Sequence, residues 1–509
     1  MAKMLKINYF ATGNSITLYW EKPADLPKGY CFLVYVDGKK AGENPKTHFT
    51  IRQLQADTVY KIQIALLGED VAEKFVSEEM LLVTRKEKRK LDVTKAPYLA
   101  VGDGVNLNTK ALQQAMDDCD GDSVVYFPAG IFMTGALRLH SDMEVYLEEG
   151  AVLQGTAEPE DYLPRIHSRF EGYEMECYSS LLNMGELDHK AGYNCKNVLI
   201  HGKGTIASGG RTLAQKVIDS ERERLKAYIE SLGDEINTYE NFDTIPGRVR
   251  PRLINISNCQ NIVISGLKLE NGASWNVHMI YSDSIVTHDC TFRSENVWNG
   301  DGWDPDSSTN CTIFDCMFYT GDDSVAIKSG KNPEGNVINR PCDCIRIFDC
   351  RCAYGHGITM GSEMSGGIRD VKIWDCDMSR SVYGIEIKGT KKRGGYVREI
   401  HVKDSKVSRI LFHSVGYNDD GVAAPIPPVF ERCSFENMQI YGEYTFKGER
   451  HTCEAIELAG FDVPGHQIRD IFFKNILISC KEEDAGKIVV LKNCENITLE
   501  NVKCMRGDF

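Results

Sequence analysis

Apolar and polar residues alternate with a period of two along much of the chain, the mark of strands with one covered face. SITLYW (15–20), YCFLVYVDGK (30–39), THFTIRQL (47–54), TVYKIQIALL (58–67) and MLLVT (80–84) are such segments. Asp-Gly at 37–38 is a hairpin turn signal between two of them. Short strands at this density predict a small β-sandwich over 1–88. The run RKEKRKLD (85–92) is charged, and a linker is expected at 89–95 before a second domain over 96–509. That domain opens with a helical pattern, NTKALQQAMDDC (108–119), with an N-cap at Asn108 or Thr109. A helix there covers the open apolar end of a stack of coils. Residues 212–240 are a second helical stretch, read as an insertion.

Beyond the insertion the pattern repeats. NCQNIVISGLKLE (258–270), DSIVTHDCTF (283–292), NCTIFDCMF (310–318), DCIRIFDCRC (343–352), RDVKIWDCDM (369–378) and REIHVKDSKV (398–407) align on V/I-x-I triplets. Asp289, Asp315, Asp349, Asp375 and Asp404 mark the same point in successive repeats, 26, 34, 26 and 29 residues apart. One repeat is too short for the four strands of a propeller blade and fits one coil of a right-handed parallel β-helix. The fold class is therefore all-β, a β-sandwich followed by a parallel β-helix. Asn258, Asn310 and Asn493 stand at turns that suit left-handed backbone.

The net charge of −14 over 509 residues argues against nucleic acid as a partner, but not against a small anionic ligand met by a local basic cluster. Many of the 18 cysteines share one setting, after Asn or Asp, as at 258–259, 289–290, 315–316, 349–350, 375–376 and 493–494. That regularity reads as a buried stack of reduced thiols, and no CxxC pair offers a zinc site. The first 20 residues lack the apolar core of a signal peptide, and no apolar run is long enough to span a membrane. A cytoplasmic location is expected, or a secreted or periplasmic one had a leader been removed.

Candidate chemistry is concentrated in NGDGWDPDS (299–307), TGDDSVAIKSGKN (320–332), GHG (355–357) and GIEIKG (384–389). Asp301 and Asp322 are 21 residues apart, about one coil, which sets them on one face of adjacent coils. Neighbouring coils are roughly 5 Å apart. Asp323 follows directly, with Gly321 expected to allow a bulge that turns both carboxylates outward. His356 and Lys388 extend the row. Crowded carboxylates raise one pKa, so one can act as acid while its neighbours stay ionised and activate water. Calcium is the rival for such a cluster, but the EF-hand spacing is absent. No metal and no cofactor is expected. Asp304, Asp306 and Lys328, taken singly, read as structural.

Two resemblances follow. Trp20, Tyr30, Thr58, Tyr60 and Ile62 resemble the pattern of a fibronectin type III module. Asn299-Gly-Asp301-Gly-x-Asp304-Pro, Gly321-Asp322-Asp323, Gly355-His356-Gly357 and Ile387-Lys388 resemble, in order, the motifs of the family 28 glycoside hydrolases, the polygalacturonases. The resemblance implies a right-handed parallel β-helix that hydrolyses pectic substrates with inversion and without a cofactor. By it, Asp322 looks like the general acid, Asp301 and Asp323 like the pair that activates water, and His356 like the histidine that supports the acid. Lys388 looks like the lysine that binds a uronate carboxylate, and Asn299 belongs with the substrate-binding residues. The departure is Glu386, where the family usually has Arg. Arg393, in KKRGG, is the candidate replacement, and Arg165, Arg169, Arg248, Arg250 and Arg252 lie in or beside insertions that could wall the groove. Of these Arg252 is expected to bind substrate. Exo-cleavage of galacturonate-containing oligosaccharides inside the cell is expected. Glu386 also permits a rhamnogalacturonan-type hydrolase, and a non-enzymatic carbohydrate-binding rod is the reading from another class. Oligomeric state is left open.

Overall fold

A computed structural model describes residues 4–239, 241–415, 422–480 and 488–506. Two compact units are present, Met1–Lys90 and Leu91–Phe509. The first is built of antiparallel strands in a three-stranded and a five-stranded sheet. Their inward residues, among them Ile16, Leu18, Phe32, Val34, Ile62 and Ile64, enclose Trp20, which meets Phe32 edge-on at 5.1 Å. Asp37 (φ 50°) and Gly38 (φ 75°) form the tight turn between Cys31–Val36 and Lys39–Asn44. Two positive φ values in sequence are what a two-residue hairpin turn needs.

The second unit is a right-handed parallel β-helix. Successive strands pair in register, Ile262 with Ile285 and then Ile345 with Val371 and Val371 with Ile400, so each triplet adds to one continuous core. Asp289, Asp315, Asp349, Asp375 and Asp404 all take positive φ between 50° and 55°, as do Asn258, Asn310 and Asn493. A short polar side chain tolerates that conformation, and here it also bonds to its neighbour a coil away. Asn437 donates to Asp404 at 3.0 Å, Asn475 to Asn437 at 3.0 Å, and Asn501 to Asn475 at 2.7 Å. Of the cysteines after these turns Cys494 is half-buried and the rest are buried, and Cys290, Cys316, Cys350 and Cys376 each point the thiol at the carbonyl two residues back. The residues at those carbonyls stack face to face outside: His288, Phe314, Phe348 and Trp374 lie 4.9, 4.8 and 4.4 Å apart. Cys504 departs from the all-thiol expectation, being disulfide-bonded.

The segment expected as a linker is not plain coil. Arg89–Asp92 is a strand, and Leu91 and Val93 enter the β-helix core. Helix α1 (Thr109–Asp117) buries Leu112, Ala115 and Met116 in that core, as an end cap should. Asn108 precedes it but makes no side-chain cap bond; its amide ties down the backbone of Val101 instead. The helical insertion begins earlier than the pattern indicates, with α2 (Gly210–Arg224). Residues 161–180 contain an antiparallel hairpin, Ile166–Phe170 with Tyr173–Cys177. Among the described residues no helix is long and apolar enough to cross a membrane.

One parallel sheet carries the candidate site. Its central strands are β1 (Val277–Ile280), β2 (Trp303–Asp306), β3 (Val325–Ile327), β4 (Gly357–Met360), β5 (Gly384–Gly389) and β6 (Ile410–Ser414). Trp303, Val325, Ile358 and Ile385 are register partners in turn and point into the core. Strand alternation then turns Asp304, Thr359 and Glu386 to the outer face. Outward polar residues on this sheet are nonetheless buried, because the insertions cover it.

Candidate active site

Stepping two residues back from the core row Trp303, Val325, Ile358, Ile385 gives Asp301, Asp323, His356 and Tyr383. These lie at the entrances of β2, β3, β4 and β5, one per coil. Backbone bonds hold them there: the Gly302 amide donates to the Asp323 carbonyl at 3.0 Å, and the His356 amide to the Asp322 carbonyl at 2.9 Å. Gly321 serves by close approach rather than by a left-handed bulge. A β-carbon there would come within 2.3 Å of the Val297 carbonyl oxygen. The four sequence-assigned residues Asp301, Asp322, Asp323 and His356 line one cavity of about 360 Å³, with Asn299, Glu386, Lys388 and Arg393.

Charge pairing grades the carboxylates. Asp322 is the more open, its Oδ1 2.8 Å from His356 Nδ1, a contact bent away from hydrogen-bond geometry. Asn299 donates to its other oxygen at 3.5 Å. Asp323 is buried, accepts from Thr359 Oγ1 at 2.8 Å and lies 3.4 Å from His356 Nδ1 and 3.7 Å from Lys388 Nζ. Burial alone would raise its pKa, but Lys388 and then His356 outweigh it and hold Asp323 well below the usual range. Asp301 shows the reverse balance. Burial pushes it well up against the pull of Lys328, whose Nζ is 3.4 Å from Oδ2, while Oδ1 has no partner. Asp304 is also pushed up by burial and by Asp301, and neither of its oxygens has a hydrogen-bond partner. Two buried carboxyls with so few donors cannot both ionise, so this pair retains a proton.

His356 faces the opposite balance to Asp301. Burial opposes its charge, yet Asp322 and Asp323 raise its pKa well above 6.5. Asp322, Asp323 and His356 group their polar atoms within 4.8 Å of one another. The stabilisation from His356 is full below about pH 6.5 and is lost as pH rises through its raised folded value. That from Asp323 is full above about pH 3.9 and is lost as pH falls through its lowered one. We expect the His356 imidazole to titrate by NMR above the ordinary histidine value, and to move back toward it in Asp323→Asn. Titration at or below the ordinary value in the wild type would contradict the ion-paired site.

Other assignments change. Arg252 does not line the cavity. It is fully buried, donates to Ser168 Oγ at 3.0 Å and to the Arg169 carbonyl, and lies against Phe170 and Trp275, so it is a packing residue and the expected substrate contact is corrected. The remaining insertion arginines are engaged inside the protein too. Arg165 pairs with Glu221, Arg169 with Asp306, Arg248 with Glu171, and Arg250 with Asn299 and three carbonyls. Burial draws Arg250 down to about 10. Arg393 does reach the cavity, fixed by the Ser362 carbonyl and Asn332 Oδ1, both at 2.8 Å. Lys328, read as structural, is a lining residue, with Trp275 4.5 Å beneath its ammonium. Its signal was in the sequence: V-A-I-K (325–328) and I-E-I-K (385–388) share a pattern, and register sets Lys328, Gly361 and Lys388 in line. Lys331, Glu363, Tyr383 and His413 also line the cavity and carry no comparable local motif.

Residues 184–416 match the family model "Glycosyl hydrolases family 28", a span that includes every sequence-assigned site residue. A "Probable polygalacturonase" of Vitis vinifera is 35% identical over 60% of this chain, and the match spans 58% of that relative's length. An "Exo-poly-alpha-D-galacturonosidase" of Dickeya chrysanthemi is 24% identical over 96% of this chain and 89% of its own. The solved family 28 exopolygalacturonase of Yersinia enterocolitica shares the fold, with a TM-score of 0.84, 22% identity, and coverage of 100% of this chain and 96% of that one. With its motif residues gathered in one cavity of a parallel β-helix, the chain is similar over residues 184–416 to family 28 of the glycosyl hydrolases.

Proposed function

We propose that the protein is an inverting glycoside hydrolase that cleaves galacturonate-containing pectic oligosaccharides from a chain end. The observation that carries this reading is the row Asp301, Asp323, His356, one per coil, with Asp322 standing open beside it. In this reading the proton shared by the His356–Asp322 pair, 2.8 Å apart, passes through the Asp322 carboxyl to the leaving glycosidic oxygen, and His356 keeps that carboxyl oriented. Asp323, held ionised by Lys388 and His356, orients the attacking water. The Asp301–Asp304 pair, whose burial gives it a high proton affinity, takes the proton that the water releases. Arg393 and Lys331 are cations among the residues lining the cavity, the side a uronate carboxylate would meet.

A cavity of about 360 Å³ is on the scale of one or two sugars. End-wise action is supported further by the printed name of the Dickeya relative, which aligns over nearly the whole chain. A product time course tests it. Steady release of mono- or disaccharide from galacturonan fragments, with inverted anomeric configuration by NMR, is expected. A rapid fall in polymer viscosity with mixed long oligomers would instead mean an open groove. An unsaturated, ultraviolet-absorbing product would mean elimination rather than hydrolysis.

A further inference from the structure

The outward row of the site sheet includes a pair that the chemistry above does not use. Glu386 is buried, and its Oε1 accepts from His413 Nε2 at 2.7 Å. Its Oε2 accepts from Thr359 Oγ1 at 3.2 Å and lies 3.0 Å from Lys388 Nζ. Lys388 and His413 are register partners on β5 and β6, and all three of Glu386, Lys388 and His413 line the cavity. The Lys388 ammonium therefore sits between two carboxylates, Glu386 at 3.0 Å and Asp323 at 3.7 Å. A lysine so placed has its charge already matched. A sugar carboxylate brought against it would be a third anion in a poorly solvated corner, where like charges repel strongly. A hydroxyl or an ester meets no such repulsion, and a hydroxyl can donate to Glu386 while accepting from Lys388.

We propose that Glu386, oriented by His413, makes this end of the cavity select an uncharged sugar, either a neutral glycosyl residue or a uronate with its carboxyl esterified, over a free uronate. This rests on the hydrolytic reading above and deepens it by naming the substrate class at one subsite. Glu386 acts here through Lys388, as a positioning and specificity-determining residue. It also explains how a lysine motif can persist beside an acidic residue: the acid converts an anion receptor into a hydroxyl receptor.

The test uses the α-1,4-linked galacturonate disaccharide, its two monomethyl esters, and the analogues in which galactose replaces one galacturonate. For the wild type, one monoester and the matching galactose analogue should exceed the free acid in kcat/KM by about tenfold or more. Preference for the ester alone would identify the esterified source, and preference for the galactose analogue alone the neutral one. Glu386→Gln should collapse that ratio toward unity. His413→Gln, at a more open position, should widen it by leaving the Glu386 charge less covered, and it serves if the buried variant fails to fold. A free acid cleaved as fast as every uncharged counterpart, with a ratio unmoved by either variant, overturns the inference and leaves the hydrolase reading standing. Failure of the wild type to cleave any of them overturns both.

Discussion

Asp322→Asn is expected to lower turnover by about 10²–10⁴-fold, the usual scale for a removed acid catalyst. The amide keeps the shape of the carboxyl but has no transferable proton. The partly open position of Asp322 makes a clean test possible, since its side-chain contacts are to His356 and Asn299. Circular dichroism and unfolding by urea should therefore be nearly unchanged. KM should move much less than kcat, because the lost interaction belongs to the transition state. The fold-change should also shrink for a substrate with a good leaving group, such as an aryl glycoside, which needs little protonation. Equal losses on aryl and sugar leaving groups would remove Asp322 from the acid role. Undiminished turnover would favour a carbohydrate-binding protein over an enzyme.

The second large effect is on stability. Arg169→Met should destabilise the β-helix unit by about 3–5 kcal/mol, the scale for breaking a buried ion pair from one side. Arg169 and Asp306 have fully buried side chains, and Arg169 Nη1 donates to Asp306 Oδ1 at 2.9 Å. Burial alone would raise the Asp306 carboxyl, and Arg169, with His278 3.4 Å away, holds it below its usual range. Without Arg169 that carboxylate keeps one imperfect partner. The His278 ring cannot compensate readily, since burial lowers its own pKa to about 3. The double variant Arg169→Met with Asp306→Leu should recover most of the loss, because two apolar groups replace two desolvated charges. Urea midpoints at constant transition slope would measure both. A single variant as stable as the wild type would show that the pair contributes only geometry.

Arg169 also shows the limit of reading charge along a chain. Five arginines lie in or beside the insertions, and Arg252 was expected to bind substrate, yet each of the five has an internal partner. Nothing local distinguishes an arginine that faces a cavity from one that supports its wall. Arg169 and Asp306 are 137 residues apart, and Arg165 and Glu221 are 56 apart. Such pairings depend on where insertions fold back onto the coils. Arg393, which does line the cavity, follows two lysines and precedes two glycines, and that setting alone does not say which way its side chain turns.

By itself the sequence determined the coil and the row. Each V/I-x-I triplet commits three residues to one strand, in-out-in, and a turn residue with positive φ closes each coil, so the period of the pattern is the period of the stack. Once coils stack in register, residues one repeat apart must become neighbours, and Asp301, Asp323 and His356 meet for that reason alone. Lys328 and Lys388 could have been aligned by the same logic. Only the tertiary structure decided what charge each group carries and which partner it has. The raised proton affinity of Asp301 and Asp304 follows from their burial, and the depressed Asp323 from Lys388 reaching across two coils. The matching of Lys388 by Glu386, and of Glu386 by His413, likewise needs the side chains to be seen in place. The physical reason is range: strand pattern is a local steric property of the chain, whereas desolvation and ion pairing are set by everything that packs nearby, however distant in sequence.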